Sequence, residues 1–543
     1  MKFISISVLA IASLLAADAT AKPRLGVLVV VDQLRSVEID RLAPVFGTGG
    51  FGGFQTDSAA RFDARYPYGV CETSPGHATL STGASPAVHG IISNRWWDGE
   101  KLVYAVGDTT HPVLGNDAPD SGRGPTHLRV GTLADAMKIE SLGKSKVITV
   151  AHKDRAAILT AGHSADLALW YDNDLGEFTT SSAYAKELPS WVTEQQSRVR
   201  KSWQEGRWTP LPIPKGMEAL FPEDDRVGEK TNKLGGRMFP HDLSSLSDVK
   251  QQKAQYRASP QAVEDIFELA LSAVREEKLG EDLVPDFLVV GVSATDYVGH
   301  WFGPHSLEMT DLLRRLDLSL RDFMRKLENR LGRDGYVLVL AADHGSTPLP
   351  EALRRIGYPA RRIPGAQLEK DIATAVEQSL KTRDVQAILR PPHLWLHAPN
   401  LKAGQKQKAL SIAEEVLERT PGIESVYRLD EYNNLRNSPD PFVQRMRLAI
   451  YPPRSGDLLV RHAPRMLFDF ASDDPNAGEG IDHSAPYIYD ARIPVFVRGT
   501  DVRRGRYAQM IDPRDVPATL AFLLGVPPPD ACEGTPVEAV GTR

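Results

Sequence analysis

Residues 26–31, 147–151, 287–292 and 336–342 are four short runs in which β-branched and other apolar side chains follow one another almost without interruption. A strand with one wet face would alternate apolar with polar positions. Continuous runs of this length instead predict strands buried on both faces, the pattern of a parallel sheet covered by helices. Helical patterns lie between them. Ser259-Pro260 has the form of an N-cap followed by proline at the first helical position, and Val263, Ile266, Phe267, Ala270, Leu271 and Val274 then recur at helical spacing. Leu312, Leu313, Leu316, Leu320, Phe323 and Leu327 form a second such stripe ahead of the strand at 336. The alternation of strand, helix and strand predicts an α/β fold with a mostly parallel central sheet flanked by helices.

Two stretches do not follow this alternation. Residues from about 170 to 259 are rich in charge, Trp and Pro, with Trp191, Trp203 and Trp208 in a weakly periodic sequence. Residues from about 350 to 469 carry strand and helix signals of their own, at 394–396 and 409–417. Both are expected to be insertions, forming cap subdomains on one large domain that runs over 22–543.

The N-terminus is of a different kind. Met1-Lys2-Phe3 leads into an apolar run over 4–17 and then into Ala19-Thr20-Ala21 before Lys22. That run is shorter than the roughly 20 residues needed to span a bilayer. Residues 1–21 are therefore expected to be a signal peptide cut after Ala21, leaving a periplasmic or secreted chain with no further membrane span. In the whole chain of 543 residues, 64 Lys and Arg face 70 Asp and Glu, a formal net charge of -6. Such a composition belongs to a folded globular protein, and it offers no broad basic face for polymeric nucleic acid. The two cysteines, Cys71 and Cys532, cannot supply a disulfide framework, and they leave open one bridge or two free thiols. A monomer is expected.

Polar residues of one chemical kind stand where the apolar runs end: Asp32 after the first, Asp296 shortly after the third, and Asp343-His344 after the fourth. Ligands of open α/β sheets bind at these carboxyl ends. A single strand-end aspartate is ordinarily a cap or turn residue; three of them with histidines nearby point to a shared ligand. Asp296 and His300 are four apart, so one helical turn can bring carboxylate and imidazole onto the same ion. His483 lies in a loop, Gly480-Ile481-Asp482-His483-Ser484, that could supply a further nitrogen. Carboxylate and imidazole without thiolate suit zinc, and also manganese or iron. With Asp32 the set is large enough for two ions, which about 4 Å apart stabilise the attacking and leaving oxygens of an in-line phosphoryl displacement. Thr73 and Ser74, ahead of a predicted helix start, offer hydroxyls where backbone N–H groups favour phosphate.

Taken together, Val30-Val31-Asp32-Gln33, Thr73-Ser74-Pro75-Gly76-His77, Val88-His89-Gly90-Ile91-Ile92-Ser93-Asn94, Asp296-Tyr297-Val298-Gly299-His300, Ala342-Asp343-His344-Gly345 and the loop around His483 resemble the alkaline phosphatase superfamily. Within it the chain is most similar to the phosphate-irrepressible periplasmic alkaline phosphatases, which use a threonine nucleophile and are related to nucleotide pyrophosphatase/phosphodiesterases. The resemblance runs from residue 26 to Leu523-Leu524-Gly525-Val526-Pro527. It implies the alkaline phosphatase-like fold and two Zn2+ ions per chain. It also implies a division of ligands: Asp296, His300 and His483 for the zinc on the leaving or non-bridging oxygen side, and Asp32, Asp343 and His344 for the zinc that activates Thr73. Thr73 would form a phosphothreonine that water then hydrolyses.

Lys153 and Arg155, in His152-Lys153-Asp154-Arg155 after the second strand, resemble the lysine and arginine segment of the monoesterase branch, and Asn94 falls where that branch has an asparagine. On one face of an extended segment, Lys153 and Arg155 could contact the phosphoryl oxygens, with Asn94 donating a third hydrogen bond. The expected function is thus an alkaline phosphatase acting on small phosphate monoesters of broad range. A phosphodiesterase or nucleotide pyrophosphatase on the same fold is the alternative. Cys71-Glu72-Thr73-Ser74-Pro75 does not fit the Cys/Ser-x-Pro-x-Arg signature of sulfatases. His77, His89 and His163 are expected outside the site, and Trp96 and Trp97 in core packing.

Overall fold

Leu25–Val31 (β1), Ala60–Arg65 (β2), Val147–Ala151 (β3), Leu167–Asp172 (β4), Glu177–Thr179 (β5), Asp286–Val292 (β6), Tyr336–Ala341 (β7), Arg492–Arg498 (β8) and Gly505–Ile511 (β9) form one sheet in a computed structural model of the chain. The structure describes residues 22–56, 59–432, 437–471 and 478–540; the expected signal peptide lies outside the described residues. The strand order is β9-β2-β8-β7-β1-β6-β3-β4-β5. The four strands predicted from apolar runs sit together in the middle as β7-β1-β6-β3, all parallel. Every residue in them is buried, which is why their sequences do not alternate. Antiparallel pairing occurs at β8 and at the edge strand β5.

Five helices bear on the site: Thr73–Thr82 (α1), Asp154–Ala161 (α2), Pro260–Glu276 (α3), Ala294–Phe302 (α4) and Leu307–Leu331 (α5). The Ser259 hydroxyl accepts from the Ala262 N–H at 3.3 Å and Pro260 takes the first helical position, as its sequence predicts. The apolar stripes of α3 and α5 are buried, the two helices pack on each other, and α3 packs on β6 and β3.

The two irregular stretches differ in kind. Trp170 to Asp172 complete β4, and Trp191, Trp203 and Trp208 are buried in the main core, so the stretch from about 170 extends that core instead of packing separately. The stretch from about 350 has its own four-stranded sheet, in the order Gln386–Arg390, His393–His397, Leu458–His462, Ile423–Arg428. Helices Gly365–Leu380 and Lys406–Arg419 cover it around a second apolar core that includes Ile372, Val376, Leu394 and Leu417. Among the described residues no helix is long and apolar enough to cross a membrane. Cys71 and Cys532 are free thiols.

Candidate active site

Because β7, β1, β6 and β3 run parallel, their carboxyl ends lie along one edge, and Asp343-His344, Asp32, Asp296 and Lys153 gather there despite their separation in sequence. Asp296 and His300 meet across one turn of α4, with His300 Nε2 3.4 Å from Asp296 Oδ1. The loop of His483 is tied to the 300 region by the Ile481 N–H, which donates to His300 O at 3.0 Å. It brings His483 Nε2 to 3.7 Å from the same Asp296 oxygen. His344 stacks on His483 at 3.7 Å between ring centres, its Nε2 3.3 Å from Asp343 Oδ2 and 4.0 Å from Asp296 Oδ1.

The three imidazoles share one orientation. Nδ1 of His300 donates to Ile481 O at 2.8 Å, Nδ1 of His344 to Gly345 O at 2.9 Å, and Nδ1 of His483 to Cys71 O at 2.7 Å. The carbonyl acceptor fixes a proton on each Nδ1, and it leaves each Nε2 facing the carboxylates. That is the arrangement of metal-ligating histidines, whose second nitrogen is held by a backbone carbonyl. Burial, reinforced by His344 and His300, pulls His483 well below the usual imidazole range and keeps it neutral.

Asp32 and Asp343 form a second group. His77 stands beside them, with Nε2 3.4 Å from Asp32 Oδ1 and Nδ1 3.4 Å from Asp343 Oδ2. Asp32 Oδ1, Asp343 Oδ2 and His344 Nε2 are buried and make no hydrogen bond. Burial and the neighbouring Asp343 carboxylate push Asp32 up, while at Asp296 the charges of Lys153 and His300 outweigh burial and hold the carboxyl well below its usual range. Buried, incompletely satisfied oxygens and nitrogens of this kind fit divalent cations bound without thiolate.

Gln33 ties the two groups together. Its N–H donates to Asp343 Oδ1 and its side-chain amide to Asp296 Oδ1, each at 3.0 Å. Its backbone is left-handed, φ 62°. The amide lies so close to α4 that a Cβ at Gly299 would come within 1.7 Å of Gln33 Oε1, and any side chain there would push the amide from its place at Asp296.

Thr73 is the first residue of α1, buried, with its hydroxyl oxygen 3.2 Å from Lys153 Nζ. The same ammonium lies 2.6 Å from Asp296 Oδ2 and 2.9 Å from Asp32 Oδ2. Lys153 is extended, but Arg155 already belongs to the first turn of α2, so the two do not share the face of one extended segment. Asp154 opens that helix and pairs with Arg123 at 2.7 Å, and Arg155 lines the cavity over Thr73. Tyr104 Oη accepts from Arg155 Nη1 at 3.3 Å. Asn94 lines that cavity too, its amide oxygen accepting from the Ser74 N–H at 2.9 Å.

The chain matches known proteins over nearly its whole length. The profile of the type I phosphodiesterase / nucleotide pyrophosphatase family covers residues 27–484. The chain belongs to that family. Alkaline phosphatase PhoV of Synechococcus elongatus is 30% identical over 526 residues, 95% of this chain and 92% of that protein. Alkaline phosphatase PafA of Elizabethkingia meningoseptica is 30% identical over 544 residues, 96% of this chain and 95% of PafA. The crystal structure of PafA superposes with a TM-score of 0.87 at 28% identity, covering 96% of this chain and all of the PafA chain. A second PafA structure carries replacements of a threonine, an asparagine 21 positions later, and a lysine and an arginine two apart.

Other histidines of this family member stay outside. His89 is buried against Thr79, and His163 binds Asp135 and Leu128 O. Trp96 is buried, at right angles to His127. Sequence reasoning had not reached Glu72. Its buried carboxylate accepts from Ser93 Oγ, the Asn94 N–H and Ser484 Oγ at 2.7–2.8 Å, joining the loops of Asn94 and His483 just before Thr73. Its one sequence signal is its place beside Thr73. Burial pushes the neighbouring Cys71 thiol up, away from reactivity.

Proposed function

We propose that the chain is an exported alkaline phosphatase, a metal-dependent phosphoric monoester hydrolase of broad range that frees inorganic phosphate through a phosphothreonine. The observation that carries this reading is the convergence on Thr73: Lys153 Nζ is 3.2 Å from its hydroxyl, and Asn94 and Arg155 line the same cavity. A monoester presents two negative charges on the transferred group, and Lys153, Arg155 and the amide nitrogen of Asn94 supply cationic and neutral donors for its oxygens. The same four residue types are those replaced in the PafA variant.

Two Zn2+ ions fit the donor set, one held by Asp32, Asp343, His344 and Thr73, the other by Asp296, His300 and His483. Such ions, when bound, acidify the attacking hydroxyl and carry charge on the leaving oxygen. The chain's own part is positional and electrostatic. Lys153 favours the Thr73 alkoxide over the hydroxyl, and the start of α1 places that oxygen at the floor of the cavity. Attack forms the Thr73 Oγ–P bond as the ester P–O bond breaks and the alcohol leaves. Water then cleaves the phosphothreonine, returning Thr73 and inorganic phosphate.

The test is hydrolysis of p-nitrophenyl phosphate beside bis-p-nitrophenyl phosphate by zinc-loaded protein and by Thr73→Ala. Strong monoester preference, lost at least about 1,000-fold in the variant, is the expected result. The family's description favours a second reading, a phosphodiesterase, which a diester preference would select.

A further inference from the structure

Building on the monoesterase reading, we propose that Arg95 recognises a second anionic group on the leaving alcohol, so that monoesters bearing a carboxylate or a further phosphate are preferred over their neutral counterparts. Two cavities meet at this residue. One, of about 550 Å3, opens above Thr73; the other, of about 480 Å3, is lined by Lys153, Tyr104, Arg123 and Arg257. Asn94, Arg95 and Arg155 line both, so Arg95 borders each space beside the residues proposed to hold the phosphoryl group.

The other lysine and arginine side chains lining these cavities are already engaged. Lys153 pairs with Asp32 and Asp296, Arg123 with Asp154, and Arg390 with Glu369, while Arg155 and Arg257 donate to the hydroxyls of Tyr104 and Tyr297. Among the described residues the Arg95 guanidinium has neither a hydrogen bond nor an ion pair, and it stands over the Tyr104 ring, 4.8 Å from Cζ to the ring centre. The stack is set locally. Arg95–Trp97 and Leu102–Tyr104 form a two-stranded hairpin in which Arg95 and Tyr104 lie directly opposite each other. Tyr104 is itself fixed, its hydroxyl donating to Asp154 Oδ1 and accepting from Arg155 Nη1. One tyrosine thus spaces two guanidinium groups, with its hydroxyl at Arg155 and its ring under Arg95. Arg155 is half-buried and Arg95 exposed, so the unspent donors of Arg95 are placed for negative charge farther along the ester. A guanidinium resting on an aromatic face keeps its planar fork open to carboxylate or phosphate, and its stacking limits the freedom lost on binding.

6-Phosphogluconate and sorbitol 6-phosphate present the same primary phosphate ester and differ in one carboxylate at the far end; 3-phosphoglycerate and glycerol 3-phosphate do so over a shorter chain. Zinc-loaded wild type is expected to favour the acid in at least one pair by about fivefold in kcat/KM, the upper end of what an exposed ion pair contributes. Added salt, about 0.5 M KCl, is expected to erase that preference. Arg95→Met, which keeps a stem over Tyr104, should bring the ratio close to one, and Arg95→Glu should take it below one, both with unchanged melting temperatures. A residue that only supports the hairpin would not give this graded response to charge. Wild-type ratios at or below one in both pairs, or a preference that both variants keep, overturn the role of Arg95 while leaving the phosphatase intact. No turnover of any of these esters overturns the monoesterase reading and this inference with it.

Discussion

Lys153 Nζ lies 2.6 Å from Asp296 Oδ2, and both side chains are buried. The ammonium also pairs with Asp32, so one cation serves carboxylates from both ligand groups. Removing it leaves two buried carboxylates without their partner. Lys153→Met is expected to destabilise the zinc-free protein by about 3 kcal/mol, and the zinc-loaded protein by clearly less, because the ions then neutralise the same oxygens. Thermal melts with and without chelator check this; equal losses in both states would count against it.

Arg155 faces the cavity, while its Nε is buried without a hydrogen bond. Arg155→Ala is expected to lower monoester kcat/KM by about 10- to 100-fold and diester kcat/KM by much less, since a diester has one charge fewer on the transferred group. Parallel losses on the two p-nitrophenyl esters would show that Arg155 serves structure only.

Gln33→Ala removes the donor to Asp296 but keeps the backbone N–H that holds Asp343. The ion at Asp296, His300 and His483 is therefore expected to weaken by about tenfold or more, with the other retained. Zinc per chain, measured after dialysis against a weak chelator, should fall from two towards one. Loss of both ions together would contradict this division.

Asp490 is buried at the cavity wall, and burial pushes it up to about 8 against the donor at Ala485 and the charge of Arg35. Its folded pKa lies above the unfolded value of 3.8, so its contribution to stability is present below about pH 4 and is lost as pH rises towards 8. Asp490→Asn keeps an acceptor for the Ala485 N–H and cannot ionise. Its melting curve is expected to meet that of wild type near pH 4 and to stand above it at pH 8, by up to about 5 kcal/mol. Curves that stay parallel across this range would refute the assignment.

The legible part of the fold was its middle. β7, β1, β6 and β3 are buried on both faces, and a short uninterrupted apolar run rich in β-branched residues is the pattern such strands leave in a sequence. β9 was illegible because most of its residues face solvent, and β5 because three residues make no pattern. Trp191 and Trp203 misled for a related reason. They lie on a helix, Ser190–Glu205, whose other positions are mostly charged or polar, and only its packing on α3 shows that they belong to the main core.

At the site, residue types and their order came from the chain itself: aspartates at strand ends, histidines at short spacings, a hydroxyl before a helix. Asp296 and His300 needed no tertiary information, because four residues of helix already place them on one side. Which carboxylates share an ion's space did need it. Residues 32, 296 and 343 are brought together only by the hydrogen-bonded register of parallel strands, and Lys153 enters between them because β3 pairs with β6. Gln33 and Glu72 act through partners more than a loop away, so their roles are not legible in their local sequence. Local periodicity and spacing determine elements and candidate ligands; long-range pairing alone decides which side chains meet, since distance along a chain carries no information about distance across a sheet.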